Sequence, residues 1–145
     1  MTKDVCISIR GLNIDSEDSE PLELITIGKY TKKDGISYLR FEEISDEVGE
    51  MTKDTLKFSP EGAELIRHGA MEMFLSFLPG EKTVTSYRTP FGMFYLGIDT
   101  DSIEISESED TLDLSIRYLL EANHEFLAKC EISVNVQSCL ERSKK

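Results

Sequence analysis

The side chains best suited to chemistry in this chain are a basic pair and a set of tyrosines. Arg67 and His68 stand side by side just before Gly69. An arginine guanidinium offers planar donors to a carboxylate or a phosphate, so this pair favours an anion-binding site. A tyrosine combines apolar area with a hydroxyl and suits a small amphipathic ligand. The six residues of this ligand-binding prediction are Tyr30, Tyr38, Arg67, His68, Tyr87 and Tyr118.

Both sets also have a purely structural interpretation, which the sequence leaves open. Arg67 could pair with a nearby carboxylate, because the chain has 28 Asp and Glu residues against 16 Lys and Arg. The tyrosines could fill the interior, as Met71 and Met73 would, because barrels of about eight strands are often filled by side chains.

No motif indicates nucleophilic catalysis or metal binding. The chain has two histidines, His68 and His124, and no Gly-x-Ser-x-Gly sequence that would place an activated serine beside a base. The run from Asp99 to Glu104 is similar to the start of a calcium loop, but Ile103 replaces a ligand and Glu104 replaces the turn glycine. The sequence therefore predicts no catalytic residue, no metal site and no cofactor, and an enzyme is the least favoured function class.

The elements that carry these residues are predicted to be strands, because apolar residues recur at every second position. The clearest runs are 112–120 and 126–136, the second with Phe126 on its apolar face. Asp34-Gly35 predicts a hairpin, since glycine adopts the positive φ that such a turn requires. Alternation and turn residues predict ten strands: Asp4–Arg10, Leu22–Thr31, Ile36–Ile44, Met51–Phe58, Ala63–His68, Met71–Phe77, Thr83–Thr89, Phe91–Thr100, Leu112–Leu120 and Phe126–Val136.

The predicted fold class is all-β. Ten short strands with short connections favour an up-and-down antiparallel β-barrel, which leaves few exposed edges. The polar strand Met51–Phe58 is expected at an edge or rim, and Ser59-Pro-Glu-Gly62 is interpreted as a turn. We expect a single domain over residues 1–145, with an exposed acidic loop at 15–20 and a polar tail at 137–145.

The charge of the chain restricts its partners. A net charge of −12 and an isoelectric point near 4.6 disfavour nucleic acid and anionic membranes, whose phosphates attract basic residues. The sequence offers no apolar run that suits a secretion signal or a membrane span, so we expect a cytoplasmic protein.

The spacing of Cys6, Cys130 and Cys139 does not match a zinc or redox motif. Cys130 is expected to be a buried hydrophobe, and a bond between Cys130 and Cys139 is the less favoured alternative.

Several short motifs occur in the order and spacing of a known family. They are Gly28-x-Tyr30, Ile66-Arg-His-Gly69, Tyr87-x-Thr89-x-Phe91-Gly92, Leu96-x-Ile98-x-Thr100 and Leu114-x-Ile116-x-Tyr118. On these motifs the chain resembles the YwiB-like proteins, small bacterial proteins of unknown function, from about Val5 to Val136. The resemblance implies a lipocalin-like (calycin) β-barrel and carries over no catalytic or ligand-binding residues. The chain has no tryptophan, so it lacks the Gly-x-Trp signature of true lipocalins.

The function predicted from the sequence is binding of a small, partly apolar ligand that could be anionic, inside a cytoplasmic barrel. The alternative is a protein-protein interaction or structural module that acts through its surface or as a homodimer. The first function needs an accessible inner wall, whereas the second needs a contact surface on the outside or at a sheet edge.

Overall fold

The computed structural model describes residues 3–13, 22–44, 51–69, 72–89 and 92–139, and these residues form ten strands. In chain order they are β1 (Asp4–Asn13), β2 (Leu22–Lys33), β3 (Ile36–Ile44), β4 (Met51–Ser59), β5 (Gly62–His68), β6 (Met73–Phe77), β7 (Lys82–Thr89), β8 (Gly92–Glu107), β9 (Thr111–Ala122) and β10 (Glu125–Ser138). No described part of the chain forms a helix long and apolar enough to cross a membrane. The predicted acidic loop at 15–20, Met71 and the last residues of the predicted tail, 140–145, lie outside the described residues.

The strands form one antiparallel sheet that curls into a nearly closed barrel. Neighbours along the chain pair from β1 to β6 and from β7 to β10, and β1 also pairs with β10. This last pairing joins the two halves through nine residue pairs, beginning with Val5 opposite Ser138. The edges of the sheet are β6 and β7, where the hydroxyl of Thr83 donates to the carbonyl of Ser76 at 2.5 Å. The fold is the predicted up-and-down β-barrel and is consistent with the lipocalin-like type.

The predicted turn between β2 and β3 fixes which tyrosine faces inward. Asp34 and Gly35 have φ values of 54° and 81°, and two positive φ values are what a type I′ turn requires. This turn sets Tyr30 opposite Leu39, which is a core residue. Because successive side chains on a strand alternate between its faces, Tyr30 faces the interior and Tyr38 faces outward.

Two strand predictions are corrected in position. The strand predicted at an edge, Met51–Phe58, is β4, which lies between β3 and β5 with Leu56 and Phe58 buried. The strand predicted to end at Thr100 continues to Glu107 as β8, past an irregularity in register between Thr100 and Ser102. A bulge of this kind accommodates an extra residue, so simple alternation does not carry across it.

The prediction that Phe126 lies on the apolar face is wrong. The register of β10 against β9 shifts between Phe126 and Ala128, so Phe126 stands opposite Glu121 and is 60% exposed. Ala128 is buried and starts the inward alternation that follows. Because of the extra residue Leu127, the side chain of Phe126 points to the face opposite to the one that simple alternation predicts.

The core fills one end of the barrel more completely than the other. We call the end with the turn at Asp34-Gly35 the lower end and the end with the turn at Asn123-His124 the upper end. Side chains deep in the lower half are buried: Val5, Ile7, Leu39, Phe58, Phe77, Val134 and Val136. Nearer the upper end, apolar side chains that pack against this core are only partly buried: Ile9, Leu24, Leu65, Leu75, Tyr118, Leu120 and Ile132. The inner wall is therefore more accessible toward the upper end along β1, β5, β6 and β9. On β8 the order is reversed, since Ile98 nearer the upper end is buried and Ile103 and Ile105 below it are partly buried.

Gly28 marks a close approach of β1, β2 and β3. A Cβ atom at this position would meet the carbonyl oxygen of Arg40, and would lie 2.7 Å from Ile7 Cδ1 and 3.1 Å from Phe41 Cβ. We expect Gly28→Ala to lower the free energy of unfolding by about 1–3 kcal/mol, because backbone must shift to admit the methyl group. Urea unfolding measures this loss.

The matched control is Gly11→Ala in β1. No heavy atom lies within 4 Å of a Cβ at Gly11, so the free energy of unfolding should change by no more than about 0.5 kcal/mol. Equal losses in the two variants would contradict the close approach at Gly28.

Candidate functional site

An ionic cluster of Glu43, Asp54 and Arg67 lies on the inner face toward the upper end. Asp54 of β4 stands between Phe41 of β3 and Arg67 of β5 in the register of the sheet. Phe41 is a core residue, so its cross-strand neighbours Asp54 and Arg67 share the inner face. Glu43 lies two residues beyond Phe41 and therefore points to the same face. We call this group the Glu43–Asp54–Arg67 cluster.

Arg67 bridges the two carboxylates. Its Nε donates to Asp54 Oδ1 at 2.9 Å, and its Nη2 donates to Glu43 Oε2 at 3.1 Å. Asp54 is only 1% exposed, whereas the side chains of Arg67 and Glu43 are 36% and 30% exposed. The cluster therefore links a fully buried charge to the accessible part of the inner wall.

The carboxyl group of Glu43 can hold a proton near neutral pH. A hydrogen bond to Asp54, burial and the negative charge of Asp54 raise the pKa of Glu43 to about 7, against the opposing effect of Arg67. When Glu43 is ionised, two carboxylates face one guanidinium and the cluster is net negative. When Glu43 is protonated, its hydroxyl can donate to Asp54.

Asp54 keeps one oxygen able to accept a hydrogen bond. Its Oδ2 is buried and has no hydrogen-bond donor among the described residues. A buried carboxylate oxygen that lacks a donor destabilises the folded state, so a hydrogen bond to that oxygen is favourable.

The structure separates the predicted pair Arg67 and His68. They are neighbours on β5, so their side chains point to opposite faces, with Arg67 inward and His68 outward. Nδ1 of His68 lies 3.7 Å from Oε1 of Glu72. His68 also lines an outer groove of about 500 Å³ together with Lys53. These two side chains do not meet at one site.

Two of the predicted tyrosines face the interior. Tyr30 is buried in the core, and its hydroxyl lies 3.1 Å from the hydroxyl oxygen of Ser37. Tyr118 packs edge-on against Phe77 with ring centroids 5.2 Å apart. Burial, together with the neighbouring Cys130, raises the pKa of the Tyr118 hydroxyl. Tyr30 is therefore held in the packed core, whereas Tyr118 lies on the partly accessible part of the inner wall.

Tyr38 does not join them. Tyr38 lies on the outer face, where the charged groups of Arg40 and Lys57 each approach its ring centroid at 5.7 Å. This geometry is that of a cation-π contact. The backbone of Tyr87 pairs with Phe94, and the side chain of Tyr87 lies outside the described residues.

Sequence reasoning missed Glu43 and Asp54. Asp54 alternates with Leu56 and Phe58, so the period of two already places a carboxylate on an apolar face. The interpretation of this strand as a polar edge concealed that signal. The role of Glu43 depends on the register between β3 and β4, which no turn signal in the sequence fixes.

The calcium-like run forms part of a strand rather than a loop. Asp99 and Glu104 lie in β8 on either side of its bulge, and both positions pair with β9. Within the described residues, no group of three or more His, Cys, Asp or Glu side chains is placed to hold a metal ion.

Comparison with known proteins assigns a family to this barrel. A family model described as a domain of unknown function (DUF1934) matches residues 7–134. The chain belongs to this family. The matched range contains the entire Glu43–Asp54–Arg67 cluster.

Relatives of the chain have the same fold. The uncharacterized beta-barrel protein YwiB of Bacillus subtilis (strain 168) is 29% identical over 114 residues, which cover 79% of each chain. The crystal structure of the ywiB protein from Bacillus subtilis matches with a TM-score of 0.78 and 24% sequence identity, covering 94% of this chain and 92% of that chain. The predicted resemblance to YwiB-like proteins is confirmed.

Removing the partner of the buried carboxylate should destabilise the fold. We expect Arg67→Met to lower the free energy of unfolding by about 2–4 kcal/mol, because Asp54 would remain buried without its donor. The double variant Asp54→Leu with Arg67→Met should recover much of that loss. Urea unfolding at pH 7 measures both variants.

The control for this prediction is an ion pair on the outer face of the same two strands. Lys57 Nζ lies 3.4 Å from Glu64 Oε1, and both side chains are partly exposed. Lys57→Met should change the free energy of unfolding by less than about 1 kcal/mol. A loss in Arg67→Met no larger than that in Lys57→Met would contradict the role of the buried pair.

The pKa of Glu43 predicts a dependence of stability on pH. This pKa rises from 4.5 to about 7 on folding, so the folded state binds the proton more tightly than the unfolded state. The resulting stabilisation is fully present below pH 4.5 and is lost as the pH rises through 7.

The matching variant is Glu43→Gln, whose amide stays neutral at every pH. Relative to this variant, the wild type should gain stability as the pH falls from 7 to 4.5 in a series of urea unfolding curves. Parallel stability profiles across that pH range would contradict the raised pKa.

Proposed function

We propose that this protein binds a small, partly apolar ligand on the inner wall toward the upper end of the barrel. The single observation that carries this proposal is the gradient of burial along β1, β5, β6 and β9. On β1, Ile7 is buried and Ile9 only partly so, and β9 repeats the change from Ile116 to Tyr118. Apolar side chains that stay accessible beside a packed core suit an apolar ligand group.

The Glu43–Asp54–Arg67 cluster would supply the polar contact. The accessible acceptor is the carboxyl group of Glu43, whose side chain is 30% exposed, and a ligand hydroxyl, amide or amine could donate to it. Arg67 already donates to two carboxylates, which weighs against the anionic ligand predicted from the sequence. The favoured ligand is therefore an amphiphile whose head group donates hydrogen bonds.

The test of the apolar wall uses the neutral dye Nile red, whose fluorescence rises in an apolar site. We expect saturable binding of one dye per chain, because the accessible wall occurs at one end of the barrel. Leu24→Trp should weaken that binding at least tenfold, since Leu24 lies on the inner face toward the upper end. Fluorescence titration measures the affinity.

Ile25→Trp is the matched control, one residue along the same strand. Ile25 lies on the outer face and is 67% exposed, so a larger side chain there leaves the inner wall unchanged. The dye affinity of Ile25→Trp should equal that of the wild type. An equal loss in both variants, or tight binding unaffected by either, would contradict a site inside the barrel.

Displacement of the dye tests the predicted head group. Octylamine and 1-octanol carry a hydrogen-bond donor, whereas octanoate carries a negative charge on the same chain. We expect both donors to displace Nile red at a severalfold lower concentration than octanoate, because the cluster is an acceptor and is net negative once Glu43 is ionised. Stronger displacement by octanoate would instead favour the anionic ligand predicted from the sequence.

A further inference from the structure

Two cysteines that are far apart in the chain meet at the closing strand pair. Cys6 lies on β1, and Cys139 follows directly after β10. The two sulfur atoms are 2.6 Å apart. The backbone N–H of Cys139 also donates to the carbonyl of Asp4 at 3.3 Å, which holds the end of β10 against the start of β1.

The register explains why these two side chains meet. Cys6 stands opposite Gln137, and Val5 stands opposite Ser138. Cys139 lies two residues beyond Gln137, so Cys6 and Cys139 share the outer face on a diagonal across the two strands. Both cysteines are partly exposed, so a small solute can reach them.

The third cysteine has a different environment. Cys130 stands opposite Tyr118, on the inner face. The alternative bond between Cys130 and Cys139 considered from the sequence is therefore replaced by a contact between Cys6 and Cys139. Cys130 serves as an internal control for any chemistry on the outer pair.

We infer that Cys6 and Cys139 form a reversible disulfide when the protein meets a hydroperoxide. One thiol is oxidised by hydrogen peroxide to a sulfenic acid, and one water molecule leaves. The second thiol attacks that sulfur, the S–S bond forms, and a second water molecule leaves. The two thiols together lose two protons and two electrons, and the peroxide accepts them as it is reduced to water. A dithiol reductant reverses the step by thiol–disulfide exchange.

The cross-link would fasten the pairing that closes the barrel. It connects residues 133 positions apart, so it constrains nearly the whole unfolded chain. Because it lies on the outer face at the lower end, it leaves the inner wall toward the upper end unchanged. The oxidised protein should therefore melt at a higher temperature and bind Nile red as the reduced protein does.

The experiment oxidises the full-length reduced protein with a small excess of hydrogen peroxide. We expect the intact mass to fall by about 2 Da and dithiothreitol to restore it. Peptide mapping without reduction should join the peptides of Cys6 and Cys139. The melting temperature should rise by about 5–10 °C relative to the reduced protein.

Three variants separate this site from other thiol chemistry. Cys130→Ser should keep both the loss of mass and the rise in melting temperature, whereas Cys6→Ser and Cys139→Ser should show neither. A mapped bond to Cys130, a disulfide between two chains, or an unchanged wild-type mass would overturn the inference. Mapping of the wild type is decisive on its own, even where a variant folds poorly.

Discussion

The pairing of β1 with β10 is the constraint on which the rest of this barrel depends. Without it, the chain would form two separate sheets, β1 to β6 and β7 to β10, each with an apolar face open to water. The nine residue pairs of this contact join strands from opposite ends of the chain. Such pairing over a long sequence separation carries a loop-closure cost, which the shared core of both halves offsets. Cys6 and Cys139 stand at one end of this contact.

The closed sheet also determines where a polar group can lie inside. The lower half is filled by apolar side chains, so a charge there would have no partner. Asp54 lies at the point where this packing gives way to the partly accessible wall, and Arg67 reaches it from the more exposed side. A buried ion pair of this kind adds little net stability, since desolvation opposes the Coulombic attraction. Its value would lie in the acceptor that it presents, which connects the fold to the proposed binding.

Sequence patterns predicted the strands and the hairpin turns, because both are local properties of the chain. The two-residue turn at Asp34-Gly35 also implies that Tyr30 and Tyr38 face opposite sides of the sheet. The same patterns assign Phe126 to the wrong face, because a bulge depends on how two strands fit together rather than on alternation within one. The Glu43–Asp54–Arg67 cluster and the contact between Cys6 and Cys139 likewise depend on register across strands, which composition and spacing do not encode.

Methyl NMR of isoleucines during a titration with 1-octanol tests the central claim most directly, because isoleucines mark each region of the barrel. Ile9 and Ile132 lie on the inner wall toward the upper end, whereas Ile25 and Ile27 lie on the outer face of β2. The account predicts that the methyl signals of Ile9 and Ile132 shift and saturate while those of Ile25 and Ile27 stay in place. Shifts confined to Ile25 and Ile27 would contradict a ligand site inside the barrel. They would indicate that the ligand binds on the outer face.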